Sequence, residues 1–227
     1  MALKSRHLLG LEDVSKEDIQ AILDAAVSFK EILERPIPKV PTLRHVTVVN
    51  LFFENSTRTR VSFELAQKRL SADVVNFSSS TSSVNKGETL IDTVRNIEAM
   101  KIDIVVIRHP MPGAPVLLTR YCKSKVINAG DGAHEHPTQA LLDMMTLREV
   151  FGGFEGLRVT LVGDIAHSRV ALSNIYGLKT MGALVAVCGP PTLIPRYLGN
   201  LGVVVYHDLD EAIANSDCLN VLRIQLE

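Results

Sequence analysis

The chain carries almost no net charge: 24 lysines and arginines face 25 aspartates and glutamates over 227 residues. That balance gives no broad field for nucleic acid or an anionic membrane, so any anion site must be built locally. Long apolar runs are missing as well. Met1-Ala2-Leu3-Lys4-Ser5-Arg6-His7 lacks the apolar core of a signal peptide, and no stretch approaches membrane-spanning length, so a cytoplasmic protein is expected. Cysteine is scarce. Cys122, Cys188 and Cys218 are odd in number, widely spaced and set beside apolar residues, which reads as reduced packing thiols and not as a disulfide frame or zinc site. There is no internal repeat. There is no dinucleotide fingerprint either, because Gly163-Asp164-Ile165-Ala166-His167 lacks the second and third glycines that admit a pyrophosphate. No Ser-His-Asp order, reactive-cysteine setting or carboxylate pair stands out. What remains is a reaction whose substrate arrives activated, with the protein supplying position and charge.

The hydrophobic share, 46%, suffices for one large core or two modest ones. Apolar strand-like runs alternate with helix-period segments along the whole chain. This predicts an α/β protein with two doubly wound parallel sheets, and the glycines 152, 153 and 156 mark the expected joint, giving domains 1–150 and 151–227.

The most informative stretch runs from Val46 to Leu70. Val46, Val48, Val49, Leu51, Phe52 and Phe53 form a strand run that stops at Glu54-Asn55-Ser56-Thr57-Arg58-Thr59-Arg60, after which the pattern is helical. Asn55 or Ser56 can cap that helix. Its first turn then offers backbone N–H groups, hydroxyls and an arginine at the positive end of the helix dipole, a combination suited to an anion. Arg58 is assigned to the anion. Arg60 turns to nearly the opposite side and is expected to pair with Glu64 along the helix.

The other polar clusters share one property. Arg108-His109, His134 to Gln139, Asp164 to Arg169 and Arg223 to Gln225 each follow the carboxyl end of an apolar strand, the edge where open α/β sheets bind ligands. Arg58, Arg108, Arg169 and Arg223 are guanidiniums, whose forks match phosphates and carboxylates, so a substrate set with several negative charges is expected. Arg223 and Gln225 lie two apart and point to one side of a strand, a spacing that suits a carboxylate. His134-Glu135-His136 is not read as a metal site, since its histidines are two apart on a glycine-rich loop with no third ligand at suitable spacing. His136 stands out because Pro137-Thr138-Gln139 fixes it at a helix start. His7, His45, His109, His167 and His207 are read as structural. The polar run from Ser78 to Glu88 reads by composition as a flexible loop.

Phe52-Phe53-Glu54-Asn55-Ser56-Thr57-Arg58-Thr59-Arg60 resembles the carbamoyl-phosphate-binding signature of the aspartate and ornithine transcarbamylases, and His136-Pro137-Thr138-Gln139 resembles a second motif of that family. The acidic Glu54 is similar to the aspartate branch. The resemblance covers essentially the whole chain and implies roles residue by residue. Ser56, Thr57, Arg58, Thr59 and Arg108 would hold the phosphate of carbamoyl phosphate. Thr59, Arg108 and His136 would polarise the carbamoyl carbonyl, with Gln139 near the carbamoyl nitrogen. Arg169, Arg223 and Gln225 resemble the residues that bind the carboxylates of L-aspartate. The serine-rich loop is similar to one that reaches into a neighbouring subunit's site, which places Ser82 and Lys86 there and implies a homotrimer. Regulatory chains are a further implied partner; no cofactor, metal, nucleic acid or membrane is expected.

The implied activity is transfer of a carbamoyl group from carbamoyl phosphate to L-aspartate, a step of pyrimidine biosynthesis. The alternatives are an ornithine or other-amine transcarbamylase, and, in a different class, a non-catalytic binding or assembly subunit. Family chains continue past the Arg-x-Gln strand, whereas this sequence stops at Glu227, so a second domain shortened at its C-terminal end is expected.

Overall fold

The computed structural model describes residues 3–78 and 89–223. The elements are α1 (Lys16–Leu33), β1 (Thr47–Phe52), α2 (Thr57–Arg69), β2 (Asp73–Ser78), α3 (Leu90–Glu98), β3 (Ile104–His109), α4 (Ala114–Thr119), β4 (Lys125–Asp131), α5 (Pro137–Phe151), β5 (Arg158–Val162), α6 (Arg169–Thr180), β6 (Leu184–Cys188), β7 (Val204–Tyr206), α7 (Leu209–Ala214) and β8 (Cys218–Val221). The chain is α/β with two four-stranded parallel sheets, ordered β2-β1-β3-β4 and β7-β6-β5-β8. Two compact units form around them. One comprises residues 1–9 with 21–132, the other 10–20 with 133–227, so α5, expected within 1–150, packs in the second unit.

In the first unit, β1 is buried along nearly its whole length, as an apolar run in a doubly covered parallel sheet should be. Val49, Leu51, Val105, Ile107 and Val126 face one layer with Val94, Ile97 and Leu118, while Val48, Phe52, Val106 and Ala129 face the other. Asn50 interrupts the apolar run of β1 yet is completely buried. It is satisfied by a reciprocal amide pair with Gln67 of α2 and by Asn76 of β2. In the second unit, Leu161, Ile175, Leu178, Val187 and Leu198 are among the fully buried side chains.

Most expected elements lie where the apolar periodicity put them, and the differences have local causes. β4 runs on through Ala129, Gly130 and Asp131, because Asn128 accepts the Gly130 N–H and donates to Asp131, keeping the strand end extended. The segment after Pro190 is two short 3₁₀ turns, Pro191–Leu193 and Arg196–Leu201, separated at Pro195. Glu64 bonds Lys68 at 2.5 Å, where Arg60 was the expected partner. A glutamate four residues before a lysine is the better-oriented helical pair, and Arg60 adds only a weak field to it. Among the described residues no helix is long and apolar enough to cross a membrane.

Candidate active site

Both sheets reverse their strand order at one point; Ser56 to Thr59 and Arg108 stand at the reversal of the first, and Arg169 and Arg223 at that of the second. In the first sheet the reversal lies between β1 and β3, which pair in register with Phe52 opposite Arg108. Directly after β1, Ser56 is the N-cap residue of α2 with extended backbone (φ −155°, ψ 94°). Its side chain makes no cap bond, and no acidic residue occupies the first turn, so the turn's N–H groups and dipole stay unneutralised by the helix itself. Thr57 and Arg58 are exposed and Thr59 is half-buried.

Arg108 is the penultimate residue of β3, and its guanidinium is braced. Nε donates to Glu54 Oε2 at 3.0 Å and Nη1 to the Ala129 carbonyl at 3.3 Å, while the Phe53 N–H donates to the Arg108 carbonyl at 2.9 Å. Glu54 therefore does structural work: it holds the β1 and β3 ends together through a largely buried ion pair. His109 is packed edge-on against Phe53 and accepts the Met111 N–H at Nδ1, and burial pushes its pKa down, so it is a neutral structural imidazole. Gly132 shapes the neighbouring loop. Its φ of +53° and its closeness to Pro112 and the Pro110 carbonyl leave no room for a Cβ.

In the second unit His136 is the N-cap residue of α5 and is buried. Its N–H donates to Ser173 Oγ at 2.8 Å, and Ser173 in turn donates to Glu135 Oε2 at 2.8 Å, which also accepts the Leu11 N–H at 2.7 Å. Burial raises the pKa of Glu135 against the lowering effect of those bonds. Gln139, in the first turn of α5, donates from Nε2 to Asp143.

The second sheet reverses between β5 and β8, where Val162 pairs with Val221. Gly163, at φ +123°, brings the end of β5 against the Leu222 carbonyl, where a Cβ would lie 3.0 Å from that oxygen. Buried Asp164 accepts from the His167 N–H and ring, Ser168 caps α6 by accepting the Ala171 N–H, and Arg169 opens that helix. Arg223 follows β8 and is exposed. The neighbouring strand ends thus bring Arg169 and Arg223 to one sheet edge. Ser82, Lys86 and Gln225 lie outside the described residues.

Several residues that shape these clusters were not expected from sequence: Asn50, Gln67, Glu54 as a brace, Ser173 and Asp143. A polar Asn inside an apolar strand, and a Gln and an Asp four apart on one helix, were the available signals. The cysteines are free thiols whose pKa values burial raises, and among the described residues no three His, Cys, Asp or Glu side chains cluster as metal ligands.

A doubly wound α/β protein with arginines and hydroxyls at its sheet-reversal points belongs to the class that binds small polyanionic substrates. Comparison with known proteins narrows this. Residues 6–149 match the family model for the carbamoyl-P binding domain of aspartate/ornithine carbamoyltransferase. The chain is 60% identical over 225 residues to the aspartate carbamoyltransferase catalytic subunit of Cytophaga hutchinsonii, covering 99% of this chain and 73% of that one. It is also 60% identical over 222 residues to that of Gemmatimonas aurantiaca, covering 98% and 70%. Among solved structures, Trypanosoma cruzi aspartate transcarbamoylase in complex with carbamoyl phosphate and aspartate matches with a TM-score of 0.87 at 34% identity, covering 98% of this chain and 73% of that one. The catalytic subunit of the M. Jannaschii enzyme matches at 0.84 and 38%, covering 97% and 74%. The chain belongs to the aspartate/ornithine carbamoyltransferase family.

Proposed function

We infer that the protein is a carbamoyltransferase that moves the carbamoyl group of carbamoyl phosphate to the α-amine of L-aspartate, releasing phosphate. Relatives at 60% identity carry that activity in their names, and a matching T. cruzi structure holds both substrates. The supporting observation in this chain is the Arg108–Glu54 brace at the β1/β3 reversal, beside a helix start whose own side chains leave its dipole uncompensated.

In this reading Ser56, Thr57, Arg58, Thr59 and Arg108 hold the phosphate, joined by Ser82 and Lys86 from a neighbouring copy. Thr59, Arg108 and His136 donate to the carbamoyl oxygen, and Gln139 accepts from the carbamoyl nitrogen. Arg169, Arg223 and Gln225 take the two carboxylates of aspartate, with Lys86 also close to it. The unprotonated amine attacks the carbonyl carbon, and negative charge on the resulting tetrahedral oxygen meets donors already in place. The C–O bond to phosphate then breaks as the proton carried by the attacking nitrogen passes to the departing phosphate oxygen, and the hydrogen phosphate dianion leaves among Arg58, Arg108 and Lys86. No protein atom bonds to the carbamoyl group. We further assign residues 1–150 to a carbamoyl-phosphate-binding domain and 151–227 to an aspartate-binding domain. The working unit is a homotrimer in the cytoplasm, and the reaction serves pyrimidine biosynthesis.

The test is a carbamoylation assay with aspartate and ornithine side by side. N-carbamoyl-aspartate as the dominant product supports the assignment. Preferential formation of citrulline, or binding of carbamoyl phosphate without turnover, overturns it.

A further inference from the structure

Asp143 lies four residues after Gln139 on α5 and gathers three side-chain amides. Its Oδ1 accepts from Gln139 Nε2 at 3.0 Å, and its Oδ2 accepts from Asn174 Nδ2 of α6 at 2.8 Å and from Asn220 Nδ2 of β8 at 3.4 Å. A carboxylate only accepts, so it fixes which end of each amide faces it. The constraint has a visible cost at Asn174. Its NH₂ serves Asp143 and the Val170 carbonyl, and its Oδ1 is left buried without a hydrogen-bond partner. At Gln139 the same logic commits the NH₂ to Asp143 and leaves the carbonyl oxygen as the group facing away from it.

The nitrogen of a carbamoyl group is amide-like and only donates, so the residue that receives it must offer an oxygen. A Gln139 turned over would set NH₂ against NH₂. We propose that Asp143 is a positioning residue of the transfer reaction: it holds the Gln139 amide with the carbonyl oxygen toward the carbamoyl NH₂, and ties that orientation to α6 and β8 through Asn174 and Asn220. The proposal rests on the placement of Gln139 at the carbamoyl nitrogen given above.

Two stable probes separate this role from general structural support. Phosphonoacetamide carries the NH₂, and acetonylphosphonate carries a methyl in its place. In the full-length protein, Asp143→Ala and Asp143→Leu weaken phosphonoacetamide binding about tenfold, the size of one hydrogen bond, and leave acetonylphosphonate within about twofold of the parent. Asp143→Asn, which keeps an acceptor oxygen, restores the preference. Gln139→Ala loses the same preference, and adding Asp143→Ala to it causes no further loss. If Gln139→Ala keeps the parental preference, the reading of Gln139 is wrong and the proposal falls with it. If Gln139→Ala loses the preference while a folded Asp143→Ala or Asp143→Leu keeps it, Asp143 does not set the amide. The parent protein gives a check that needs no variant. A scalar coupling across the bond from Gln139 Nε2 to Asp143 Cγ persists when phosphonoacetamide is bound; its disappearance on binding contradicts the proposal.

Discussion

Asn50 and Gln67 exchange two amide hydrogen bonds in the interior of the first unit, Asn50 Nδ2 to Gln67 Oε1 at 2.9 Å and Gln67 Nε2 to Asn50 Oδ1 at 2.8 Å. The pair locks α2 onto β1 in one register. Asn50 lies inside β1 and Gln67 in the last turn of α2, the strand and the helix that flank the Ser56–Thr59 turn, so the lock holds together the two elements between which that turn sits. Replacing Gln67 leaves the buried Asn50 Oδ1 without its donor while Asn50 Nδ2 keeps Asn76, and an unpaired buried acceptor costs more than the bond itself gains.

Gln67→Leu is therefore expected to destabilise the protein by about 1–3 kcal/mol in urea unfolding. It should also weaken inorganic phosphate binding, because α2 loses its register. The double replacement Asn50→Leu with Gln67→Leu should recover much of the stability, since both polar groups are then gone. A double variant as unstable as the sum of the singles contradicts this.

That lock shows what sequence pattern can reveal and what it cannot. The strand, the turn and the helix were legible because a continuous apolar run gives way at Glu54 to a helix-period pattern, and the positions of Arg58, Arg108, His136 and Arg169 were legible because each stands at or after the end of an apolar strand. The partners that aim them were not. Glu54 braces Arg108 from 54 positions away and Ser173 holds the His136 N–H from 37 positions away, and such pairings depend on strand order, which local periodicity does not encode. The Arg60–Glu64 expectation failed for a simpler reason: two cations competed for one carboxylate, and Lys68 had the better helical orientation.

Glu135 gives a stability profile with a definite sign. Burial raises its folded pKa above its ordinary 4.5, so folding favours the protonated form. Its contribution is fully present below pH 4.5 and is lost as pH rises through the folded value. Glu135→Gln has no such loss. Measured by urea unfolding from pH 4 to 8, the stability of the variant relative to the parent should climb with pH above 4.5 and then level off. A pH-independent difference would falsify this.

Asp217 works in the opposite direction. Bonds from the Arg158 side chain and N–H hold its pKa down at about 2, from an ordinary 3.8. Its contribution is present above 3.8 and disappears as pH falls through about 2. Asp217→Asn should consequently be less stable than the parent near neutrality, with the gap closing on acidification. A gap that widens in acid contradicts the pairing.

Gly132→Ala should destabilise by about 2–4 kcal/mol, from a left-handed backbone combined with overlap on Pro112 and the Pro110 carbonyl. Because the Pro110–Pro112 segment that Gly132 packs against follows β3, the strand bearing Arg108, carbamoyl phosphate affinity should fall as well. Thermal unfolding beside a binding titration checks both, and an unchanged melting temperature contradicts the packing.

If arginines and hydroxyls transfer an activated carbamoyl group without bonding to it, as proposed above, Arg58→Ala removes one of the cations that meet the leaving phosphate. Arg58 is exposed on the first turn of α2, so its removal should change stability by no more than about 0.5 kcal/mol. Formation of N-carbamoyl-aspartate from carbamoyl phosphate and aspartate should fall by about 10²–10³-fold, the range for loss of one donor to developing charge. A folded Arg58→Ala protein that makes N-carbamoyl-aspartate at the parent rate contradicts the account.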